Sequence, residues 1–167
     1  VIKKKDDLGL GSYLFGFEES YGYLKGTYAR DKDAVVAAML ITEMAAYYKT
    51  QGKTLVDVMN ALYEKHGMYL NTLLNFGFEG ADGMKKMAQM MDDMRNNPPA
   101  EIGGIKVVGV SDYLTSKATD MISGDVSDIT LPSSNVLSYS MEDANKVVIR
   151  PSGTEPRIKI YITAHSD

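Results

Sequence analysis

The eight residues from 150 to 157 carry the most distinctive chemistry in this chain. They read Arg-Pro-Ser-Gly-Thr-Glu-Pro-Arg and lie between two strand-like runs, 147–149 and 158–162. A guanidinium offers a planar fork of donors that matches phosphate oxygens, and short hydroxyls and backbone amides add further donors. The prolines stiffen both ends of the loop, which lowers the entropy lost on binding. The groups that would bind phosphate are Arg150, Ser152, Gly153, Thr154 and Arg157.

The loop sequence is compatible with two interpretations. Gly153 is expected to let successive N–H groups turn inward and form an anion-holding concavity. An ordinary hairpin turn with surface charges would have a similar composition, because glycine and arginine are common in such turns. The loop alone therefore does not decide between them.

Two further polar clusters occur near the start of the chain. Residues 15–22, Phe-Gly-Phe-Glu-Glu-Ser-Tyr-Gly, present two carboxylates and a hydroxyl between glycines. Carboxylates accept hydrogen bonds from vicinal hydroxyls, so this pattern indicates a sugar site; a polar strand-to-loop turn is the alternative. Lys32, within Arg-Asp-Lys-Asp, could reach an anion at the start of the following helix, or could simply belong to a cap with surface charge.

Composition argues against several classes of function. The 167 residues carry a formal net charge of -4, and this lack of basic excess disfavours a nucleic-acid partner. There is no cysteine, which fits a reducing compartment. The most apolar stretch, 34–48, contains Thr42 and Glu43 and is too short to span a bilayer. We expect a cytoplasmic protein that binds neither membrane nor nucleic acid.

The periodicity of the first segment, 1–66, predicts two helices and one or two strands. One helix begins after Asp31 or Asp33, and a second is capped by Thr54 and stopped by Gly67. The first helix is apolar nearly all round, which is typical of a buried helix. A buried helix needs a sheet or other helices over it, and residues 1–30 supply too few strands. We therefore predict the truncated end of an α/β domain, with exposed apolar surface or self-association.

The second segment, 67–167, is predicted to be an α+β domain with an antiparallel sheet. Alternating apolar residues over 68–78 predict a long strand with one buried face. A helix is expected over 82–96, ended by the prolines that follow it, and residues 111–128 read as a polar loop. The helix has methionines at spacings of three and four, which favours a core stripe over a peptide groove. These methionines are Met84, Met87, Met91 and Met94.

Together, three motifs resemble the C-terminal half of the phosphohexomutases, the phosphoglucomutase/phosphomannomutase family. They are Phe-Glu-Glu-Ser-Tyr-Gly at 17–22, Arg-Asp-Lys-Asp-Ala at 30–34 and Arg-Pro-Ser-Gly-Thr-Glu-Pro-Arg at 150–157. Their order and separation are also similar to that family. Within it, the chain looks most like the bacterial phosphoglucomutases. The third motif is shared with phosphoglucosamine mutases, so it does not by itself fix the substrate.

The resemblance implies a four-domain enzyme that interconverts glucose 1-phosphate and glucose 6-phosphate. A phosphoserine and Mg²⁺ would serve the transfer, with glucose 1,6-bisphosphate as the intermediate. Residues 1–66 would be the end of domain three and 67–167 domain four. Glu18, Ser20 and Lys32 would bind the sugar. Arg150, Ser152, Gly153 and Thr154 would hold the phosphate that is not reacting, with Arg157 as an accessory.

The chain also departs from the family pattern. The family's serine loop and its Asp-Gly-Asp-x-Asp-Arg metal loop do not occur in it. We therefore expect no catalytic residue and no metal ligand in this chain, and no mutase activity from it alone; the family's N-terminal domains would be its partner. Two alternatives remain: a stand-alone phosphosugar-binding, anion-binding or interaction module, and a part of a phosphomannomutase or phosphopentomutase.

Overall fold

The computed structural model of the chain describes residues 9, 11, 13–18, 22–29, 31–80 and 82–166, with the backbone alone at Glu18. These residues form two units, 1–62 and 63–167. Helices and an antiparallel sheet occur together, which confirms the predicted mixed α and β fold class. No helix within the described ranges is long and apolar enough to cross a membrane.

The first unit contains a β-hairpin and a long helix. Strands β1 (Phe15–Glu18) and β2 (Gly22–Lys25) pair antiparallel, with Phe15 opposite Lys25. Helix α1 (Ala34–Thr50) follows, and α2 (Leu55–His66) begins in this unit. Polar side chains close in sequence cap the N-termini of both helices, as predicted.

The caps show why the helices begin where they do. The Asp33 carboxylate accepts hydrogen bonds from the amides of Val35 and Val36 at 2.8 and 3.2 Å, so Asp33 rather than Asp31 caps α1. Thr54 and Asp57 cap α2 reciprocally: the Thr54 amide donates to Asp57 and the Asp57 amide to the Thr54 hydroxyl. Gly67 follows α2 with a φ of +82°, a conformation that favours glycine.

Helix α1 differs from the prediction in its exposure. Val36 is its buried residue, whereas Val35, Met39 and Tyr47 are 79%, 53% and 61% exposed. The apolar sequence would be buried in a wider layered domain, but a two-stranded hairpin covers only a small part of the helix. The expected exposed apolar surface is therefore confirmed, and self-association stays a prediction.

The second unit is built on one antiparallel sheet of eight strands, in the order β3-β10-β9-β8-β5-β6-β7, with β4 paired to β5. Helix α3 (Gly83–Asn96) connects β3 to β4, and a 3₁₀ turn (Glu142–Ala144) precedes β9. The strands are β3 (Met68–Gly77), β4 (Glu101–Ile102), β5 (Ile105–Asp112), β6 (Lys117–Asp120), β7 (Val126–Asp128), β8 (Leu137–Met141), β9 (Lys146–Pro151) and β10 (Arg157–Ser166).

The core of this unit lies between α3 and the middle of the sheet. Met87 and Met91 are 5% and 1% exposed, which confirms the methionine stripe as core, although Met84 is 45% exposed. The strand residues packed with them come from β5, β8, β9 and β10 and are Val107, Leu137, Tyr139, Met141, Val147, Ile149 and Ile158.

Two expectations for this unit are wrong. The alternating face of β3 is not buried: Leu70 is 54% and Phe76 47% exposed. Strand β3 is at the edge of the sheet, and the buried core under α3 extends only as far as β10. The stretch 111–128 is not a loop, because β5 continues to Asp112 and β6 and β7 extend the sheet. Backbone pairing stabilises β6 and β7, which lack the alternation of apolar and polar residues from which a strand is predicted.

A largely buried ion pair joins the end of α3 to the sheet. The Arg95 guanidinium donates to Asp112 at 3.1 Å, to Asp92 at 3.0 Å and to Asn135 at 2.7 Å. The side chains of Arg95 and Asp112 are only 13% and 11% exposed. Asp112 also accepts from the Leu114 amide and the Thr115 hydroxyl, so one carboxylate organises the helix end and the β5–β6 turn.

Replacing Arg95 by leucine should lower the free energy of unfolding of this unit by about 2–3 kcal/mol, because Asp112 would keep its charge without a cation. Chemical denaturation measures the loss. Asp92→Ala is the control: Asp92 is 63% exposed and its removal should have little effect. The double variant Arg95→Leu/Asp112→Leu should recover part of the stability. An Arg95→Leu protein as stable as Asp92→Ala would show that the pair contributes nothing.

Candidate functional site

The register of β9 and β10 brings the cations of the predicted phosphate loop onto one face of the sheet. Arg150 is directly opposite Lys159, and Pro151 is opposite Ile158. Side chains alternate between faces along a strand, so Arg157 projects from the same face as Lys159. Ile149 and Ile158 are buried and belong to the core face. The three cationic side chains therefore lie together on the face away from α3.

Within the loop, two successive amides converge on one oxygen. The Ser152 hydroxyl accepts from the amides of Thr154 and Glu155 at 3.4 and 3.3 Å. The Ser152 amide donates to the Arg157 carbonyl at 2.8 Å, which closes the loop at its base. Both amides are engaged by the Ser152 hydroxyl, so a bound phosphate would take the place of that hydroxyl as their acceptor. The phosphate-binding role of these residues stays a prediction.

The base of the loop is attached to the segment before α3. The Phe78 amide donates to the Pro156 carbonyl at 2.8 Å. A Cβ on Gly83 would approach the Phe78 carbonyl oxygen to 2.4 Å and Pro156 to 3.0 Å, so this close approach depends on glycine. Pro156 thus joins the end of the loop to the segment before α3.

The loop cations differ in their surroundings. The Arg157 Nε lies 3.4 Å from the Glu155 carboxylate, and both side chains are about three-fifths exposed, at 62% and 59%. The Arg150 side chain is exposed and forms no ion pair or side-chain hydrogen bond with any other residue that the structure describes. Lys159, on the same face as Arg150, is not among the residues predicted from the sequence. The signal that could have revealed it is strand alternation on either side of the loop, combined with a hairpin register.

Gly153 is used differently from the expectation. Its φ lies outside the left-handed region, and a Cβ built on it would meet no atom within 4 Å. The convergence of the loop amides on Ser152 is therefore obtained without the special backbone freedom of glycine. Gly153 remains a predicted phosphate ligand through its backbone.

The predicted sugar motif lies largely outside the described residues. The backbone of Glu18 is opposite Gly22 at the end of the β1–β2 hairpin. The Glu18 side chain and Ser20 are not among the described parts of the chain. Their assignment to a sugar stays a prediction.

Lys32 lies two residues before α1. Its ammonium is 3.4 Å from Asp31, and its amide donates to the same carboxylate at 2.7 Å. The backbone hydrogen bond from Lys32, followed by the charge of Lys32, lowers the pKa of Asp31. The side chain of Lys32 is 38% exposed. Its sugar-binding role is not tested by these contacts.

The start of α1 is already occupied by a carboxylate. The Tyr28 hydroxyl donates to Asp33, and this bond, followed by the amide of Val36, lowers the pKa of Asp33. A lowered carboxyl pKa stabilises the fold above the unfolded pKa, and that contribution is lost as the pH falls through the folded pKa. At neutral pH the charged cap fills the amides that an anion would need.

The family resemblance implies magnesium, and we tested the described residues for a fit. No group of three or more His, Cys, Asp or Glu side chains within them could hold a metal ion. The described residues therefore do not fit a resident magnesium site.

Comparison with known proteins identifies relatives of one kind. Residues 1–66 match the family model described as phosphoglucomutase/phosphomannomutase, alpha/beta/alpha domain III. A phosphoglucomutase of Staphylococcus aureus (strain bovine RF122 / ET3-1) is 43% identical over 150 residues, which cover 90% of this chain. A phosphoglucomutase of Staphylococcus epidermidis is 38% identical over 156 residues, or 93% of this chain. The chain spans 27% and 28% of the lengths of these two relatives.

The fold is similar to that of a solved structure. The match is the open form of the exocytosis-sensitive phosphoprotein pp63/parafusin from Paramecium, described as a phosphoglucomutase, with a TM-score of 0.64. The sequence identity is 18%, and the match covers 98% of this chain and 27% of that one. At this identity the likeness shows the fold alone.

Alanine substitutions at the two glycines near the loop should differ in their effect on stability. Gly153→Ala should change the unfolding free energy by less than about 0.5 kcal/mol, because its Cβ would enter open space. Gly83→Ala should destabilise the second unit clearly, since the new Cβ meets backbone. Thermal unfolding of both variants measures the difference. Equal losses at the two positions would show that the base of the loop is not packed as described.

Proposed function

Because the chain belongs to the phosphoglucomutase/phosphomannomutase family, we propose that it supplies the substrate-binding part of a phosphoglucomutase. The complete enzyme would interconvert glucose 1-phosphate and glucose 6-phosphate through glucose 1,6-bisphosphate, and would act in the cytoplasm. In this proposal residues 1–66 are the end of the family's third domain and 67–167 are its fourth.

One observation carries the proposal: the β9–β10 register collects guanidinium and ammonium groups on one face of the sheet, next to the loop that joins the two strands. A phosphate monoester carries close to two negative charges at neutral pH and has three strong acceptor oxygens. It needs several donors within a small volume, and guanidinium forks satisfy that need with defined geometry. A hairpin loop with scattered charges would not place three cations on one face.

The roles follow from the chemistry of each group. Arg150 would contact the phosphate through charge-assisted hydrogen bonds, and the Ser152 and Thr154 hydroxyls would add neutral donors. Gly153 would donate through its backbone. Arg157 would be the weaker guanidinium partner, because a phosphate must compete with Glu155 for it. Glu18, Ser20 and Lys32 would bind the sugar, by resemblance to the family.

These residues would bind and orient the substrate and would not transfer the phosphoryl group. Enzymatic phosphoryl transfer depends on positioning and on electrostatic stabilisation of the transferring group. In the proposed enzyme this chain holds the phosphate that is not reacting, so the other end of the sugar is presented to the phosphoserine. Magnesium, when bound elsewhere in the enzyme, would neutralise developing charge. No residue described in this chain takes part in that step.

Replacing Arg150 by alanine in the complete enzyme should weaken binding of glucose 1-phosphate by about 1.5–3 kcal/mol, because charge-assisted hydrogen bonds are lost. Arg157→Ala should have a smaller effect, since Arg157 already pairs with Glu155. Isothermal titration calorimetry measures both. Lys146→Ala removes an exposed cation from the same face of β9, away from the loop, and is the control. Unchanged affinity in Arg150→Ala would exclude the loop from the substrate site. Parallel titrations with mannose and ribose phosphates would assign the substrate within the family.

The 167-residue chain alone should not interconvert the two glucose phosphates, because the family's serine and metal loops do not occur in its sequence. A coupled assay for glucose 6-phosphate formation tests this, with chain purified from a host that lacks its own phosphoglucomutase. Turnover that scales with the concentration of the purified chain would contradict the proposed division of labour.

A further inference from the structure

We propose that Tyr28, an exposed residue outside the three motifs, is a positioning residue for Lys32, because its hydroxyl ties the loop that carries Lys32 to the start of α1. This inference rests on the proposed sugar-binding role of Lys32 and deepens it. The loop comprises residues 26–33 and joins β2 to α1; all of it except Arg30 belongs to the described part of the chain.

Hydrogen bonds to the segment 14–23 fix both ends of this loop. The Gly26 amide donates to the Leu14 carbonyl at 3.1 Å, and the Asp33 amide donates to the Tyr23 carbonyl at 2.8 Å. Gly26 has a φ of +73°, which favours glycine where the chain turns away from β2. The placement of the residues between these ends depends on contacts within the loop.

The Tyr28 hydroxyl supplies such a contact. It donates to Oδ2 of Asp33, while Oδ1 of the same carboxylate accepts from the amides of Val35 and Val36. One carboxylate therefore joins the middle of the loop to the first turn of α1. The hydrogen bond between them raises the pKa of Tyr28 and is the largest cause that lowers the pKa of Asp33. At neutral pH the hydroxyl thus keeps its proton and the carboxylate its charge, as this contact requires.

Lys32 lies within the turn of chain that Tyr28 and Asp33 close. The Lys32 amide donates to the Asp31 carboxylate at 2.7 Å, and its ammonium is 3.4 Å from the same carboxylate. Asp33, the next residue, is held by the Tyr23 carbonyl and the Tyr28 hydroxyl. The chain is hydrogen-bonded on both sides of Lys32, so the direction of its side chain is restricted before a ligand binds. Such preorganisation lowers the entropy lost on binding.

The exposure of Tyr28 separates this role from a role in the core. Tyr28 is 64% exposed, so removal of its hydroxyl leaves no buried group without a partner. Asp33 would still accept from the amides of Val35 and Val36, and α1 would stay capped. The loop would be loosened while the helix remained. Substrate affinity should therefore change without a matching change in stability.

Tyr28→Phe in the complete enzyme tests the inference. KM for glucose 1-phosphate should rise about three- to tenfold, the size expected for one net hydrogen bond. Because the reacting groups are untouched, kcat should stay within about twofold. A tyrosine that only stabilised the fold would instead lower the thermal midpoint and the fraction of active enzyme, and so kcat, at unchanged KM. Tyr47→Phe is the matched control: Tyr47 is a tyrosine of α1 with a similar exposure, 61%, and its substitution should change neither constant.

A second variant removes the same contact from its other side. Asp33→Ser keeps a favourable N-cap hydroxyl but leaves Tyr28 without the carboxylate oxygen that it contacts. It should raise KM about as much as Tyr28→Phe does. The variant Tyr28→Phe/Asp33→Ser should have the KM of either single variant, since both substitutions remove one interaction.

Lys32→Ala shows whether Tyr28 acts through the lysine. Tyr28→Phe should raise KM in the otherwise unmodified enzyme and have no further effect in the Lys32→Ala enzyme. A tyrosine that contacted the substrate itself would have the same effect in both backgrounds.

The failures are distinguishable. If Lys32→Ala leaves both KM and kcat unchanged, the proposed substrate role of Lys32 is wrong, and the role of Tyr28 with it. If Lys32→Ala raises KM and Tyr28→Phe does not, only the present inference is overturned. Effects of Tyr28→Phe and Lys32→Ala that multiply in the double variant would likewise overturn it, because the two residues would then act independently.

Discussion

The antiparallel pairing of β9 with β10 is the constraint on which the candidate site depends. It fixes which side chains share a face, because the faces alternate strictly along each strand. With Pro151 opposite Ile158, the apolar residues of both strands enter the core and the cations stay outside. A slip of one residue in this register would exchange the two sets, burying charge and exposing the isoleucines. Burial of Ile149 and Ile158 therefore holds Arg150 and Lys159 in place.

The remainder of the second unit supports this pair of strands. Helix α3 covers the core face through Met87 and Met91, and Arg95 ties its end to Asp112 on β5. The loop between the strands is held by hydrogen bonds to the Ser152 hydroxyl and to the Pro156 carbonyl. The core and the proposed phosphate site thus lie on opposite faces of the same sheet. The open face concentrates like charges, which repel each other. A ligand of opposite charge would offset this repulsion.

The first unit is limited in a different way. Its hairpin and α1 are correctly capped and locally regular, yet the helix leaves large apolar side chains exposed. A groove of about 1070 Å³ within this unit is lined by hairpin and helix residues such as Phe15, Met44 and Tyr48. Local sequence signals therefore account for the strands and helices of this unit, but these elements do not form a complete hydrophobic core. The match of residues 1–66 to an alpha/beta/alpha domain agrees with an architecture in which such a helix is covered by further layers.

The sequence by itself determined the features that depend on near neighbours. A cap at Asp31 or Asp33, a second cap at Thr54, a helix stop at Gly67, the methionine stripe of α3 and the polar loop at 150–157 all follow from contacts a few residues apart, and the structure selects Asp33. Tertiary structure decided what depends on distant pairing: the edge position of β3 that leaves Phe76 exposed, the extra strands β6 and β7, and the place of Lys159 opposite Arg150. A strand's neighbours and register are set by which faces can be buried together. That is a property of the whole sheet, which no single stretch of sequence contains.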